Sequence, residues 1–353
     1  MICLGIESTA HTFGIGIISY NTKNSKHRPE TTILANCKAS FTSKKAGMIP
    51  SQVADHHVDV CDKIITQAMQ KAKLRLKDID MISYSASPGI GHTLRIGAMV
   101  ARSLALRLKK LKLNVPVIPV NHCIAHLEIG RLLTKAKDPI LLYVSGANTQ
   151  IISYEAGKYR IIGETLDIGI GNFLDTLARE LNLGFPGGPK IQELAKKGKR
   201  FIELPYSIKG MDMNFGGLLT YIKQLIKKPQ FFDEYTIEDL CFSVQETIFA
   251  LMTEVAERAL AHCDKNELLL GGGVACNKRL QEMCTIMCKG RGAQCFIPDN
   301  QYLIDNGAMI AWLGVLEYSA GNYISLKNNV VKNAKKITIA PYLRTDDIEI
   351  RYR

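Results

Sequence analysis

A two-domain α/β fold built by duplication, with a cleft between the copies, is predicted by three observations. The chain has 353 residues, too long for one compact core and suited to two. Its strand-like and helix-like runs follow the order βββαβαβ and then repeat it. The turns between the first two strands of each half carry small polar residues at matched places, Glu7-Ser8-Thr9-Ala10 and Ser145-Gly146-Ala147-Asn148-Thr149. The repeat is one of pattern, because residue-level similarity between the halves is weak. The expected division is residues 1–121, residues 122–325, and a basic tail at 326–353.

In the first half, residues 2–7, 13–19 and 32–41 read as strands, with a polar, basic turn at 21–30. A helix is expected at 50–74. Pro50 suits its first turn, and Val53, His57, Val60, Cys61, Ile64, Ile65 and Met69 form its apolar stripe. A strand at 80–86, the loop Ser87-Pro88-Gly89-Ile90-Gly91, a helix at 96–110 and a short buried strand at 115–120 follow. The second half opens with strands at 139–145, 149–154 and 158–165. Helices at 171–182 and 190–199 come next, then an irregular stretch at 201–215. A long helix at 237–263 has Thr236 as its cap and no internal Gly or Pro. A strand at 267–271 runs into Gly271-Gly272-Gly273, and a helix at 277–289, a strand at 294–297 and a helix at 305–319 complete the set. The stretch after Gly321, with Lys327, Lys332, Lys335 and Lys336, reads as an exposed tail that docks through 337–343.

Apolar residues make up 46% and charged residues 22%, the balance of a soluble globular protein. The net charge of +12 favours polyanions such as RNA or nucleotides, although charge alone does not separate that from a lysine-rich solvated surface. Ten cysteines form no C-x-x-C pair and sit inside apolar patterns, as small core residues do in a reducing compartment. Cys284 and Cys288 are four apart, with no second pair to complete a zinc site. Met1 leads straight into a strand with no signal-peptide pattern, and no apolar run reaches the length of a membrane span. A cytoplasmic protein is expected.

The chemistry centres on Asn121-His122-Cys123-Ile124-Ala125-His126, which follows a strand and opens a helix. Histidines at i and i+4 share one helical face, so both rings can reach one ion. On spacing alone, two half-buried histidines are the commoner outcome; their place at the join of the halves favours ligation. The H-E-x-x-H peptidases share this spacing, but Cys123 stands where their general base would be. Tyr143 and Asp305 are candidates to complete the ligand set. Asp305 could equally cap the helix it precedes, and without further context the cap is the better reading. Two imidazoles, a phenolate and a carboxylate suit iron or zinc better than magnesium. The two matched turns could bind a phosphate from both sides, and Gly271-Gly272-Gly273 could let a base or ribose approach the backbone.

Taken together, the motifs resemble those of the tRNA N6-adenosine threonylcarbamoyltransferase family, in the archaeal and eukaryotic branch that works in the KEOPS complex. The resemblance rests on Gly5-Ile6-Glu7-Ser8-Thr9-Ala10-His11-Thr12, on 121–131 and on Tyr143-Val144-Ser145-Gly146. It extends through Gly184-Phe185-Pro186-Gly187-Gly188-Pro189, Lys209-Gly210-Met211-Asp212 and Ser243-Val244-Gln245-Glu246-Thr247. Gly272-Gly273-Val274-Ala275 with Asn277, and Asp305-Asn306-Gly307-Ala308-Met309-Ile310-Ala311, complete it. It implies an actin-like ATPase (ASKHA) fold and a divalent metal, Fe2+ or alternatively Zn2+, held by His122, His126, Tyr143 and Asp305. It implies that Tyr143, Val144, Ser145, Gly146, Ala147, Asp175, Gly188, Gln192 and Asn277 contact threonylcarbamoyl-AMP or an ATP-type nucleotide. The implied reaction moves the threonylcarbamoyl group from its AMP anhydride to N6 of the adenosine just 3′ of the anticodon, position 37, in tRNAs reading ANN codons. The implied partners are tRNA, a small atypical kinase, its regulator and a small dimerising subunit. Gln192 stands where the family usually has Glu, Ala147 replaces a Gly, Gly216 replaces a Ser, and His92 fills a place where a small residue or proline is common. The competing readings are a metal-dependent peptidase and an ATP-binding phosphotransferase on the same fold.

Overall fold

The structure, a computed structural model, describes residues 1–21, 30–43 and 48–353. The basic turn expected at 21–30 lies, except for its two end residues, outside the described residues. The first half forms β1 (Ile2–Glu7), β2 (Thr12–Asn21), β3 (Glu30–Ser40), α1 (Pro50–Ala72), β4 (Met81–Ser87), α2 (Gly91–Lys110), β5 (Val117–Asn121) and α3 (His122–Thr134). The second forms β6 (Ile140–Val144), β7 (Thr149–Glu155), β8 (Lys158–Glu164), α4 (Ile170–Glu180), α5 (Gly188–Ala195), β9 (Ile208–Lys209), β10 (Asp212–Met213), α6 (Phe215–Leu225), α7 (Phe231–Glu234) and α8 (Ile237–His262). It continues with β11 (Glu267–Gly271), α9 (Lys278–Arg291), β12 (Gln294–Phe296), α10 (Asn300–Leu303), α11 (Gly307–Ser319) and α12 (Val330–Ala334).

The duplication is exact in topology. One sheet runs β3-β2-β1-β4-β5 and the other β8-β7-β6-β11-β12. In each, the first three strands are antiparallel neighbours, and the last two add in parallel on the other side of the first. The central strands β1 and β6 are buried along nearly their whole length, as strands covered on both faces must be.

The helices that end the two halves change places. α3 packs on β11 of the second sheet, and α11 lies across β1 and β2 of the first. The two helices also pack on each other, and one apolar cluster, including Ile124, Leu127, Leu141, Leu269, Met309 and Leu313, fills the space between them and the sheets. Residues Gly307–Val315 of α11 are all buried, the pattern of a helix that is apolar all round.

Three expectations are corrected. α2 begins at Gly91, five residues before 96, because Ile90 is still extended and its carbonyl receives the Leu94 amide. The stretch at 201–215 contains the β9–β10 hairpin and leads directly into α6, whose first amides are held by Asp167. The helix expected at 305–319 is α11, which starts at Gly307, and the short α10 precedes it with Asp305 between the two. The tail docks more widely than 337–343. Ile337 is buried, the Ala340 amide donates to Ala86 O at 2.8 Å, and Tyr342 is exposed. Farther on, Arg344 pairs with Glu164 at 2.9 Å, and the Arg353 guanidinium lies 4.0 Å from the Tyr154 ring centre.

α1 seats His57 against the Phe13 ring, fully buried. Burial, with His56 beside it, pulls its imidazole from the ordinary 6.5 down to about 4. Between those values the unfolded chain binds the extra proton, so stability falls as pH drops through that window. The expected loss is about 2 kcal/mol from pH 7 to pH 5. His57→Leu should flatten the pH dependence in urea titrations, and an unchanged slope would contradict this account.

Candidate metal and nucleotide site

The exchange of α3 and α11 creates the site. The Asn121 side chain caps α3 by accepting the Ile124 amide at 3.1 Å, which sets His122 and His126 on the first turns, one above the other. Tyr143 comes from β6, and Asp305 from the break before α11. Asp305 is not the cap. Asn306 takes that role, accepting the Met309 amide at 3.1 Å, and leaves the carboxylate free to face the histidines.

His122 Nε2 stands 3.1 Å from Tyr143 Oη and 3.4 Å from Asp305 Oδ1, and His126 Nε2 stands 3.3 Å from the same carboxylate oxygen. Ligand atoms about 2.0–2.1 Å from a tetrahedral ion stand roughly 3.4 Å from one another. These separations match that spacing, the three ligand atoms of His122, His126 and Asp305 lie within 4.8 Å of one another, and the donor set suits a small divalent ion in chemistry. The electrostatics agree. Burial opposes charge on His122, yet Tyr143, Glu7 and Asp305 hold its imidazole well above the ordinary value. Burial likewise opposes the Asp305 carboxylate, and the two histidines keep it well below the usual range. Burial lowers His126 and raises Tyr143. The pocket is arranged to hold a positive charge away from water.

Three further residues, which the ligand spacing did not single out, stand around this cluster. Glu7, at the end of β1, places Oε2 3.0 Å from His122 Nδ1, and Thr9 Oγ1 lies 2.9 Å from the same nitrogen. Lys38 reaches across from β3, donating to Gln301 O at 3.2 Å, in the field of Asp305. A buried acid at the end of a central strand, opposite a histidine 115 residues away, leaves no local signal.

The two matched turns are not equivalent. In the first, the Ser8 amide donates to Ser85 Oγ at 2.9 Å and the Thr9 amide to Glu7 Oε1 at 2.6 Å. These amides are engaged internally, which corrects the expectation of a phosphate cradle formed by them. In the second, Ser145 closes the turn on Asn148, while Gly146 and Ala147 are exposed and no partner is found for their amides among the described residues. The start of α4 abuts this turn: Gly171 N donates to Ser145 O, and a side chain at Gly171 would collide with Gly146. One turn farther along α4, Asp175 accepts the Gly187 amide at 2.7 Å, and burial raises its carboxyl. Gly188 opens α5 next to Leu174, with Gln192 one turn on. Contacts thus link the Ser145–Ala147 turn to the start of α4, and α4 to the start of α5.

Gly272 packs against β6 at Val144. Its φ of 91° and its approach to Val144 O admit no side chain. The Asn277 side chain caps α9 through Arg279 N and donates to Gln245 Oε1 at 2.9 Å. Cys123, between the histidines, is buried in the apolar cluster, and burial raises its thiol. It cannot serve as the base that the peptidase reading requires. All ten cysteines are free, and Cys284 and Cys288 are buried core residues. Among the described residues no helix is long and apolar enough to cross a membrane.

A family model described as TsaD, tRNA N6-adenosine threonylcarbamoyltransferase, matches residues 32–312. This chain belongs to the tRNA N6-adenosine threonylcarbamoyltransferase family. It is 47% identical over 350 residues to the protein of that name from Thermococcus kodakarensis, covering 99% of both chains. It is 45% identical to a probable bifunctional tRNA threonylcarbamoyladenosine biosynthesis protein from Methanocaldococcus jannaschii, matching 100% of this chain and 60% of that one. Among solved structures, HypF of T. kodakarensis superposes with a TM-score of 0.56 at 15% identity, over 90% of this chain and 47% of that one. That likeness shows the actin-like ATPase fold. Of this chain's departures from the threonylcarbamoyltransferase pattern, Gly216 has a structural reading. Its amide donates to Asp167 Oδ2 at 2.7 Å, and an added Cβ would come 2.8 Å from that oxygen.

Proposed function

We propose that this chain transfers a threonylcarbamoyl group from threonylcarbamoyl-AMP to N6 of the adenosine 3′ of the anticodon, position 37, in tRNAs reading ANN codons. The observation that carries the reading is the meeting of His122, His126, Tyr143 and Asp305 beside the open Gly146–Ala147 turn, in a chain of this family. A divalent ion there, Fe2+ or Zn2+, would supply a Lewis acid for the acyl donor and its departing phosphate.

The chain's own groups do the rest. The exposed Gly146 and Ala147 amides would be the donors for the phosphate, and Asp175, Gly188 and Gln192 would contact the adenylate. The Asn277 region and Gly272 close the pocket on the base and ribose side. Attack forms the bond from N6 to the carbonyl carbon, breaks the bond from that carbon to the phosphate oxygen and releases AMP, and the proton lost from N6 passes to solvent. An exocyclic adenine amine is a weak nucleophile, so orientation carries much of the rate.

The domain division follows as 1–121 and 122–325, with α11 returning to cover the first sheet and 326–353 binding both. The partners in this reading are tRNA, favoured by the +12 net charge, and the kinase, regulator and dimerising subunits of a cytoplasmic KEOPS-type complex. Magnesium-dependent phosphotransfer fits the imidazole ligands poorly.

Purified chain with those partners, metal, tRNA and donor should yield threonylcarbamoyladenosine on mass spectrometry of digested tRNA. Only unmodified adenosine from an assembled complex would overturn the proposal.

A further inference from the structure

We infer that Glu7 is a positioning residue that selects the metal-binding tautomer of His122 and ties the metal to the β1–β2 turn. The inference rests on the reading of His122, His126, Tyr143 and Asp305 as a metal site.

Glu7 is fully buried, and each of its oxygens has a different task. Oε1 accepts the Thr9 backbone amide at 2.6 Å, and Oε2 lies 3.0 Å from His122 Nδ1. A carboxylate has only acceptors to offer, so Nδ1 must carry the proton. Nε2, the nitrogen facing Tyr143 and Asp305, then keeps its lone pair for an ion. Thr9 Oγ1 also lies 2.9 Å from Nδ1 and, with Nδ1 protonated, shares that single N–H with the carboxylate, leaving its own hydroxyl proton free to donate elsewhere. His126 has no such support, since its Nδ1 is buried without a partner among the described residues. His122 is therefore the ligand whose orientation the fold controls. The control comes from the first sheet, whereas His126 and Tyr143 belong to elements packed on or in the second.

Glu7→Gln tests this with almost no change in shape. Glutamine has one acceptor oxygen and one NH2 where the carboxylate has two acceptors. If the oxygen keeps the Thr9 amide, the NH2 faces Nδ1 and selects the tautomer with a proton on Nε2, which blocks the ligand. If the side chain turns over, the NH2 meets the Thr9 amide, donor against donor. Either way metal affinity should fall about 10–100-fold, the range for partners one shell out from a metal.

The measurement is competition of the full chain against a chromophoric chelator for Zn2+ or Co2+, with the Co2+ absorption spectrum as a second readout. Wild-type chain that binds tightly, beside E7Q that binds at least tenfold more weakly with an altered spectrum, supports the inference. Equal affinity within threefold and an unchanged spectrum overturn it while leaving the metal site intact. Wild-type chain that binds no metal overturns the metal reading itself, and the inference with it. If E7Q does not fold, 15N spectra of the histidine-labelled wild-type chain, assigned with a His122→Asn variant, decide the matter. Metal on Nε2 with a protonated Nδ1 supports the inference, and metal on Nδ1 overturns it.

Discussion

Gly16→Ala is expected to prevent the chain from reaching its native state. α11 crosses β1 and β2 with backbone against backbone. An added Cβ at Gly16 would lie well inside 3.0 Å of Gly307 C and Ala308 N, and one at Gly5 would meet Gly307 O and Ala311 N in the same way. These neighbours are main-chain atoms of a helix buried on every side, so no rotamer change relieves the clash. Ordinary overpacking costs about 1–3 kcal/mol because side chains can shift. Here the helix itself must move, and the expected cost exceeds roughly 4 kcal/mol, the range of exceptional single substitutions. Any folded fraction should also bind metal poorly, because displacing α11 displaces Asp305 two residues ahead of its start. Soluble yield and thermal melting check this. A soluble Gly16→Ala variant melting within a few degrees of the parent would show that the sheet and helix have room to separate.

His126→Ala is expected to abolish stoichiometric metal binding and to lower threonylcarbamoyl transfer by more than about 100-fold, beyond the upper range for partners one shell out from a metal. The fold should survive. His126 Nδ1 makes no hydrogen bond among the described residues, and the substitution leaves Asp305 still beside His122. His122→Ala is the less clean experiment, because it also strips the buried Glu7 Oε2 of its histidine partner. Elemental analysis, circular dichroism and the tRNA modification assay on one preparation separate the effects. Full metal occupancy in folded His126→Ala would remove His126 from the ligand set.

The secondary structure was legible wherever a local rule applied. Pro50 and the Val53–His57–Ile64 stripe announce α1, and Thr236 with Asp239 forms the capping box that starts α8. The rules failed where tertiary contacts supply the missing partners. α6 has Asn214 ahead of it but no side-chain cap of its own, and its amides are held instead by Asp167, 48 residues earlier. At Asp305-Asn306 two capping residues compete, and the cap goes to the one directly preceding Gly307.

The candidate site divides along the same line. The i, i+4 spacing of His122 and His126 and the duplicated order of strands and helices could be read from the sequence alone. Both depend on short-range periodicity, which each segment carries by itself. Only the tertiary structure decided that Asp305, already a candidate ligand, faces the histidines and does not cap α11, that the Gly146–Ala147 amides are open while those of Ser8 and Thr9 are engaged, and that Glu7 stands behind His122. Those outcomes depend on which of several donors and acceptors, tens to hundreds of residues apart, meet when α3 and α11 exchange sheets, and no local pattern records that competition.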